Sequence, residues 1–146
     1  MKYRIGTTAI LVVCFLLTGC EQNAPISTEA AWVRLPPPES SAAAAYMTIN
    51  NHAAIALSIT DVRSNGFQRV EMHRTQVADG VMQMRPVESI DIPPGGTVKL
   101  EQGGLHLMLM QPIAPLVEGT PVPLAFYSDD ELVLEMTIAV SRQAPE

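Results

Sequence analysis

Turn-forming residues divide this chain into short segments: Pro36-Pro37-Pro38, Asn50-Asn51, Asp79-Gly80, Pro93-Pro94-Gly95-Gly96, Gly103-Gly104 and Asp129-Asp130. The runs between them are apolar and rich in β-branched and aromatic residues, and they are too short for ordinary helices. Strands are expected at 32–35, 44–50, 56–63, 69–76, 81–87, 96–100, 105–110, 121–127 and 131–141. Ser41–Ala45 has helix-compatible composition, but it runs directly into the β-like Tyr46-Met47-Thr48-Ile49. Short strands at roughly even spacing fold as an all-β sandwich or barrel. A chain of 146 residues has the size of one domain and can bury an ordinary core without disulfides.

The first residues read as a targeting segment rather than as part of that domain. Lys2 and Arg4 precede an apolar run from Thr8 to Leu17. The run is shorter than the roughly 20 residues that a membrane-spanning helix needs. Leu17-Thr18-Gly19-Cys20 resembles the lipobox of bacterial lipoproteins. Small residues admit the peptidase, and the Cys20 thiol becomes the lipid attachment point. The expected organisation is a lipoprotein signal peptide over 1–19, a lipid-anchored polar tether over 20–29, a β-domain over 30–141 and a short tail over 142–146. Several acyl chains at Cys20 would hold the protein to a membrane, on the periplasmic side of the bacterial cell envelope.

Cysteine usage then constrains the chemistry. The chain has two Cys; Cys14 leaves with the signal peptide and Cys20 carries lipid, so the mature domain has neither free thiol nor disulfide. Removal of Lys2 and Arg4 leaves seven Lys and Arg against fifteen Asp and Glu, a net charge of −8 that disfavours nucleic acid as a partner.

One hairpin is legible residue by residue. Asp79-Gly80 between apolar flanks signals a two-residue turn. That turn sets Val77 opposite Met82 and Thr75 opposite Met84. His73 shares a face with Thr75 and becomes the diagonal neighbour of Met84, about 7 Å away at the backbone. On a later strand His106 and Met108 are two residues apart and share a face, again about 7 Å apart. Leu105, Leu107 and Leu109 take the opposite face and should enter the core.

A single Met is ordinary core filler, and Met72 reads that way. Five of the seven Met after Met1 fall between Met72 and Met110, together with two of the three His. Imidazole nitrogens need partners when buried, so His and Met sharing one face is an unusual way to pack a core. Thioether sulfur is soft and uncharged and favours Cu(I), while imidazole tolerates both copper oxidation states. His73, Met84, His106 and Met108 are therefore expected to hold one Cu(I) per chain. Imidazole must be neutral to bind, so affinity should fall on acidification without vanishing. Met82 and Met110 share the faces of these residues and read as core or rim packing, or as alternate ligands. His52 reads as an exposed loop residue, Trp32 as a core anchor, and Arg74 and Arg85 as flanking the site.

The same inventory excludes other chemistry. A blue-copper centre needs a cysteine thiolate, and zinc sites draw on Cys, His and carboxylates. No Ser-His-Asp arrangement, phosphate loop or paired-carboxylate motif is present, so an enzyme is the least expected class. A copper-buffering or resistance lipoprotein and a metal-free structural lipoprotein are the competing readings.

The spacing of His73, Met84, His106 and Met108 is the H-x10-M-x21-H-x-M signature of periplasmic Cu(A) chaperones, the PCu(A)C family. The chain resembles that family over roughly 31–140, including Ala31-Trp32-Val33-Arg34, Val81-Met82-Gln83-Met84-Arg85-Pro86-Val87 and Gly104-Leu105-His106-Leu107-Met108-Leu109-Met110. The resemblance implies a cupredoxin-like or immunoglobulin-like antiparallel β-sandwich. It also implies delivery of Cu(I) toward the Cu(A) centre in subunit II of cytochrome c oxidase, alongside a Sco-like protein. Some members of that family carry a His- and Met-rich C-terminal tail with a second copper site; Ser141-Arg142-Gln143-Ala144-Pro145-Glu146 does not resemble it, so a second copper site is not expected.

Overall fold

The computed structural model describes residues 25–145. The expected signal peptide, Cys14, Cys20 and residues 21–24 of the tether lie outside the described residues. Every regular element among the described residues is a strand: β1 Ile26–Arg34, β2 Ala42–Asn51, β3 Leu57–Ile59, β4 Asp61–Arg63, β5 Phe67–Ala78, β6 Val81–Pro86, β7 Ile90–Ile92, β8 Thr97–Leu100, β9 Leu105–Pro112, β10 Pro121–Ser128 and β11 Glu131–Ser141. Hydrogen bonding runs in the order β4-β10-β11-β1-β2-β9-β5-β6, with β8 beside the second half of β2 and β3-β7 as a separate pair. The path folds over itself as a sandwich: Val122, Leu124 and Phe126 from β10 share one buried cluster with Met72 from β5 and Leu107 and Leu109 from β9.

β2 shows how the sequence drives this packing. Ala43, Ala45, Met47, Ile49 and Asn51 are buried on one face, at 4% exposure or less. Ala42–Ala45 pair with β9, and Met47–Asn50 pair with β8. Asn51 is the buried polar exception, and its amide is satisfied: Nδ2 donates to the Ile55 carbonyl at 2.8 Å, and Oδ1 accepts from the Ala53 amide at 3.0 Å.

The Asp79-Gly80 hairpin has the expected register, with Ala78 opposite Val81, Val77 opposite Met82 and Thr75 opposite Met84. Both turn residues have positive φ, 53° and 75°, as a type I′ turn requires.

Four features differ from expectation. β1 starts at Ile26, inside the segment read as tether; polar Ser27, Thr28 and Glu29 pair with β2 while Ile26 enters the core. The run over 56–63 splits at Thr60, and its halves pair with different strands, β3 with β7 and β4 with β10. The buried residues Ile59 and Val62 are three apart, which breaks the two-residue alternation and marks the bend. β7 was not expected, because Ile90 and Ile92 alone form too short a pattern. Finally, β1 and β11 pair in parallel at Val33–Val140 and Arg34–Ser141, so the sandwich is not wholly antiparallel.

Candidate metal centre

Strand alternation gives β5 and β9 one core face and one outer face. Met72 and Leu107 oppose each other on the core face. On the outer face His73 lies directly opposite His106, and Glu71 lies directly opposite Met108. The two imidazole rings are 6.0 Å apart between centroids and tilted by 56°. A metal–nitrogen bond of roughly 2 Å puts each ring centre roughly 3 Å from a bound ion. Two rings about 6 Å apart are therefore within reach of one shared ion.

Hydrogen bonds assign the free lone pair of each ring. His73 Nε2 lies 2.8 Å from Glu71 Oε2, and a carboxylate only accepts, so Nε2 donates. That leaves the lone pair on His73 Nδ1, an atom that is buried and has no hydrogen-bond partner. His106 Nδ1 lies 3.1 Å from the Gly104 carbonyl and donates to it, so the lone pair of His106 is on Nε2. Carboxylate or carbonyl contacts of this kind fix the tautomer and orientation of metal-binding imidazoles. Burial and a missing partner on His73 Nδ1 mark a donor atom that a cation would satisfy.

Glu71 is the residue that sequence reasoning missed. Its other oxygen, Oε1, accepts from Arg69 Nε at 2.8 Å, so an Arg69–Glu71–His73 chain braces the first imidazole. The available signal was its position two residues before His73, which places both on one face of a strand. His106 is braced from the other side. The Trp32 and Tyr46 rings meet at a 45° tilt with centroids 5.4 Å apart, and the Tyr46 ring lies 6.4 Å from that of His106. Trp32 is buried, but it faces the site side of the sheet rather than the main core, opposite to Val33. That corrects its reading as a core anchor: it backs the His106 side of the site.

The two methionines are placed less closely than the histidines. Met84 stands on β6 opposite Thr75, diagonal to His73, and is 59% exposed. Met108 lies two residues along β9 from His106, between Glu71 on one side and Ala44 on the other. They flank the His pair from opposite corners, and their unbranched side chains have the rotational freedom to turn inward. Met108 and Tyr46 also line an open groove walled by Leu35, Pro37, Pro112 and Leu116. Met82 is exposed on the hairpin, and Met110 Sδ accepts from Arg69 Nη2 at 3.3 Å. His52 is exposed and pairs with the Ser27 hydroxyl at 2.7 Å, away from the site. Among the described residues no three His, Cys, Asp or Glu side chains are grouped to hold an ion.

Comparison with known proteins places this chain in a family. The family model described as "Putative lipoprotein LpqE-like" matches residues 26–140. A relative in Leifsonia xyli subsp. xyli, "Putative lipoprotein Lxx21020", is 26% identical over 139 residues, covering 86% of this chain and 82% of its own length. Among solved structures, the copper-bound PCuAC domain from PmoF2 is similar with a TM-score of 0.60 and 25% identity, covering 83% of this chain and 94% of that one. The solution structure of CuI-DR1885 from Deinococcus radiodurans is similar with a TM-score of 0.61 and 26% identity, covering 84% of this chain and 82% of that one. The chain belongs to the LpqE-like family and has the all-β fold of the PCuAC domains.

Proposed function

We propose that this protein is a copper chaperone of the cell envelope, which binds one Cu(I) through His73, Met84, His106 and Met108 and passes it to an acceptor protein. The observation that carries the proposal is the facing His73–His106 pair. Each ring has one nitrogen hydrogen-bonded to a fixed acceptor and the other left for a ligand. Two PCuAC relatives of this fold are copper-bound, one of them with Cu(I). Two neutral imidazoles and two neutral thioethers leave the charge of Cu(I) uncompensated, and such a set holds the soft ion while permitting exchange. Exposure of Met84 supports release, because an incoming ligand can displace an exposed thioether first.

The acceptor in this proposal is the Cu(A) domain of cytochrome c oxidase subunit II, with a Sco-like protein as a second partner. The protein works as a carrier rather than an enzyme. It is tethered through lipid at Cys20, in keeping with the lipoprotein descriptions of its family and relative.

Competition for Cu(I) against a coloured chelator tests the site, with the lipid-free mature domain from Glu21 and its M84L/M108L variant. The expected result is one equivalent bound by the parent and a large loss in the variant, with the fold intact. Equal weak binding by both would remove the copper function. Transfer from loaded parent to apo Cu(A) domain then separates a chaperone from a copper buffer, which would bind equally well and transfer nothing.

A further inference from the structure

The β5–β6 hairpin carries two features that the copper site alone does not explain. Its metal-side face exposes Val77 at 70%, Met82 at 72% and Met84 at 59%, contiguous in register with Thr75 and His73. On its reverse face Arg74 lies directly opposite Arg85. Like charges facing each other across a strand pair are destabilising, and neither guanidinium has an acidic partner among the described residues; Arg85 donates only to the Gln83 amide oxygen at 2.9 Å. This paired cation stands out on a chain with an overall charge of −6. Among the described residues β6 also ends the sheet, with no strand beside its outer backbone edge.

We infer that the β6 edge is the docking surface for the copper acceptor, and that the acceptor presents an apolar patch bordered by carboxylates. This inference rests on the copper-carrier reading. A partner lying along β6 meets Val77, Met82 and Met84 on one side of the edge and Arg74 and Arg85 on the other. The carboxylates relieve the Arg–Arg repulsion, and the apolar contact excludes water beside Met84, where the acceptor's ligand enters. A second copy of this chain fits worse, because edge-to-edge pairing would gather four guanidinium groups. An anionic membrane fits worse as well, because insertion of the hairpin would bury Met84 away from any acceptor.

The test uses the mature protein, its R74E and V77D variants, and apo Cu(A) domain as the probe. R74E turns the repelling pair into an attractive Glu–Arg pair, so the hairpin keeps its register while losing its outward positive charge. Cu(I) affinity measured by chelator competition should stay within about threefold of the parent in both variants. Transfer to the Cu(A) domain should slow by about tenfold or more, and the salt dependence seen with the parent should disappear in R74E. Parent-like transfer in both variants overturns the docking surface while leaving the copper site standing. So does an absence of transfer by a parent that binds copper fully. Failure of the parent to bind Cu(I) overturns the carrier reading and the inference together. A dimer in sedimentation that V77D dissolves assigns the edge to a second copy, and binding to phosphatidylglycerol vesicles that R74E abolishes assigns it to lipid; either result overturns the proposal.

Discussion

Replacing Glu71 with Leu removes the group that, among the described residues, holds the His73 ring through Nε2. Without the carboxylate the Nε2–H loses its acceptor, the ring is free to change tautomer or flip, and the lone pair of Nδ1 is no longer fixed. Loss of an outer partner of a metal-binding histidine typically costs 10–100-fold in metal affinity, which is about 1.4–2.7 kcal/mol. Glu71 is 30% exposed on its side chain and His73 is 14% exposed. The bond is thus partly shielded, and a loss within that range is expected, smaller than the loss on removing a ligand outright. E71Q retains an oxygen acceptor for the same N–H and should recover most of the affinity. Two measurements check this: Cu(I) competition on the three proteins, and the nitrogen chemical shifts of His73, which should report an Nε2–H tautomer in the parent and in E71Q but a mixture in E71L. Parent-like affinity in E71L, or an unchanged tautomer, would refute the bracing role. Matching thermal melts would show that neither result comes from misfolding.

Two further changes separate the scaffold from the site. Leu107 is fully buried between His106 and Met108 but faces the opposite layer. Leu107→Ala should cost about 2–5 kcal/mol in chemical denaturation, while the folded protein keeps Cu(I) affinity close to the parent's because the β5–β9 register is held by the backbone. Gly80 has φ of +75°, and a Cβ there would meet no atom within 4 Å, so Gly80→Ala tests backbone strain alone. The cost should be about 1–2 kcal/mol. It should appear as faster amide exchange in β6, with little effect on the melting midpoint of the sandwich, because β6 lies at the sheet edge.

Local chemistry determined a good deal of this protein from the sequence alone. Asp-Gly permits positive φ at two successive positions, so the hairpin register, and with it the diagonal of His73 and Met84, followed from a dipeptide. Strict alternation from Leu105 to Met110 separated Leu107 and Leu109 from His106 and Met108, because a strand has only two faces. What stayed hidden depends on strands distant in sequence. Which strand lies beside β5 is decided by global packing, and only that pairing puts His73 across from His106 and Glu71 across from Met108. Trp32 and Tyr46 back His106 because β1 pairs with β2 after a bulge between Glu29 and Trp32, and the bulge resets which β1 residues face the site. The Arg74–Arg85 pair follows from the same hairpin register, and Glu71 and Gly104 are each two residues from the histidine they contact; which ring nitrogen each contact engages, and so which lone pair is left free, was decided only by the folded side-chain geometry.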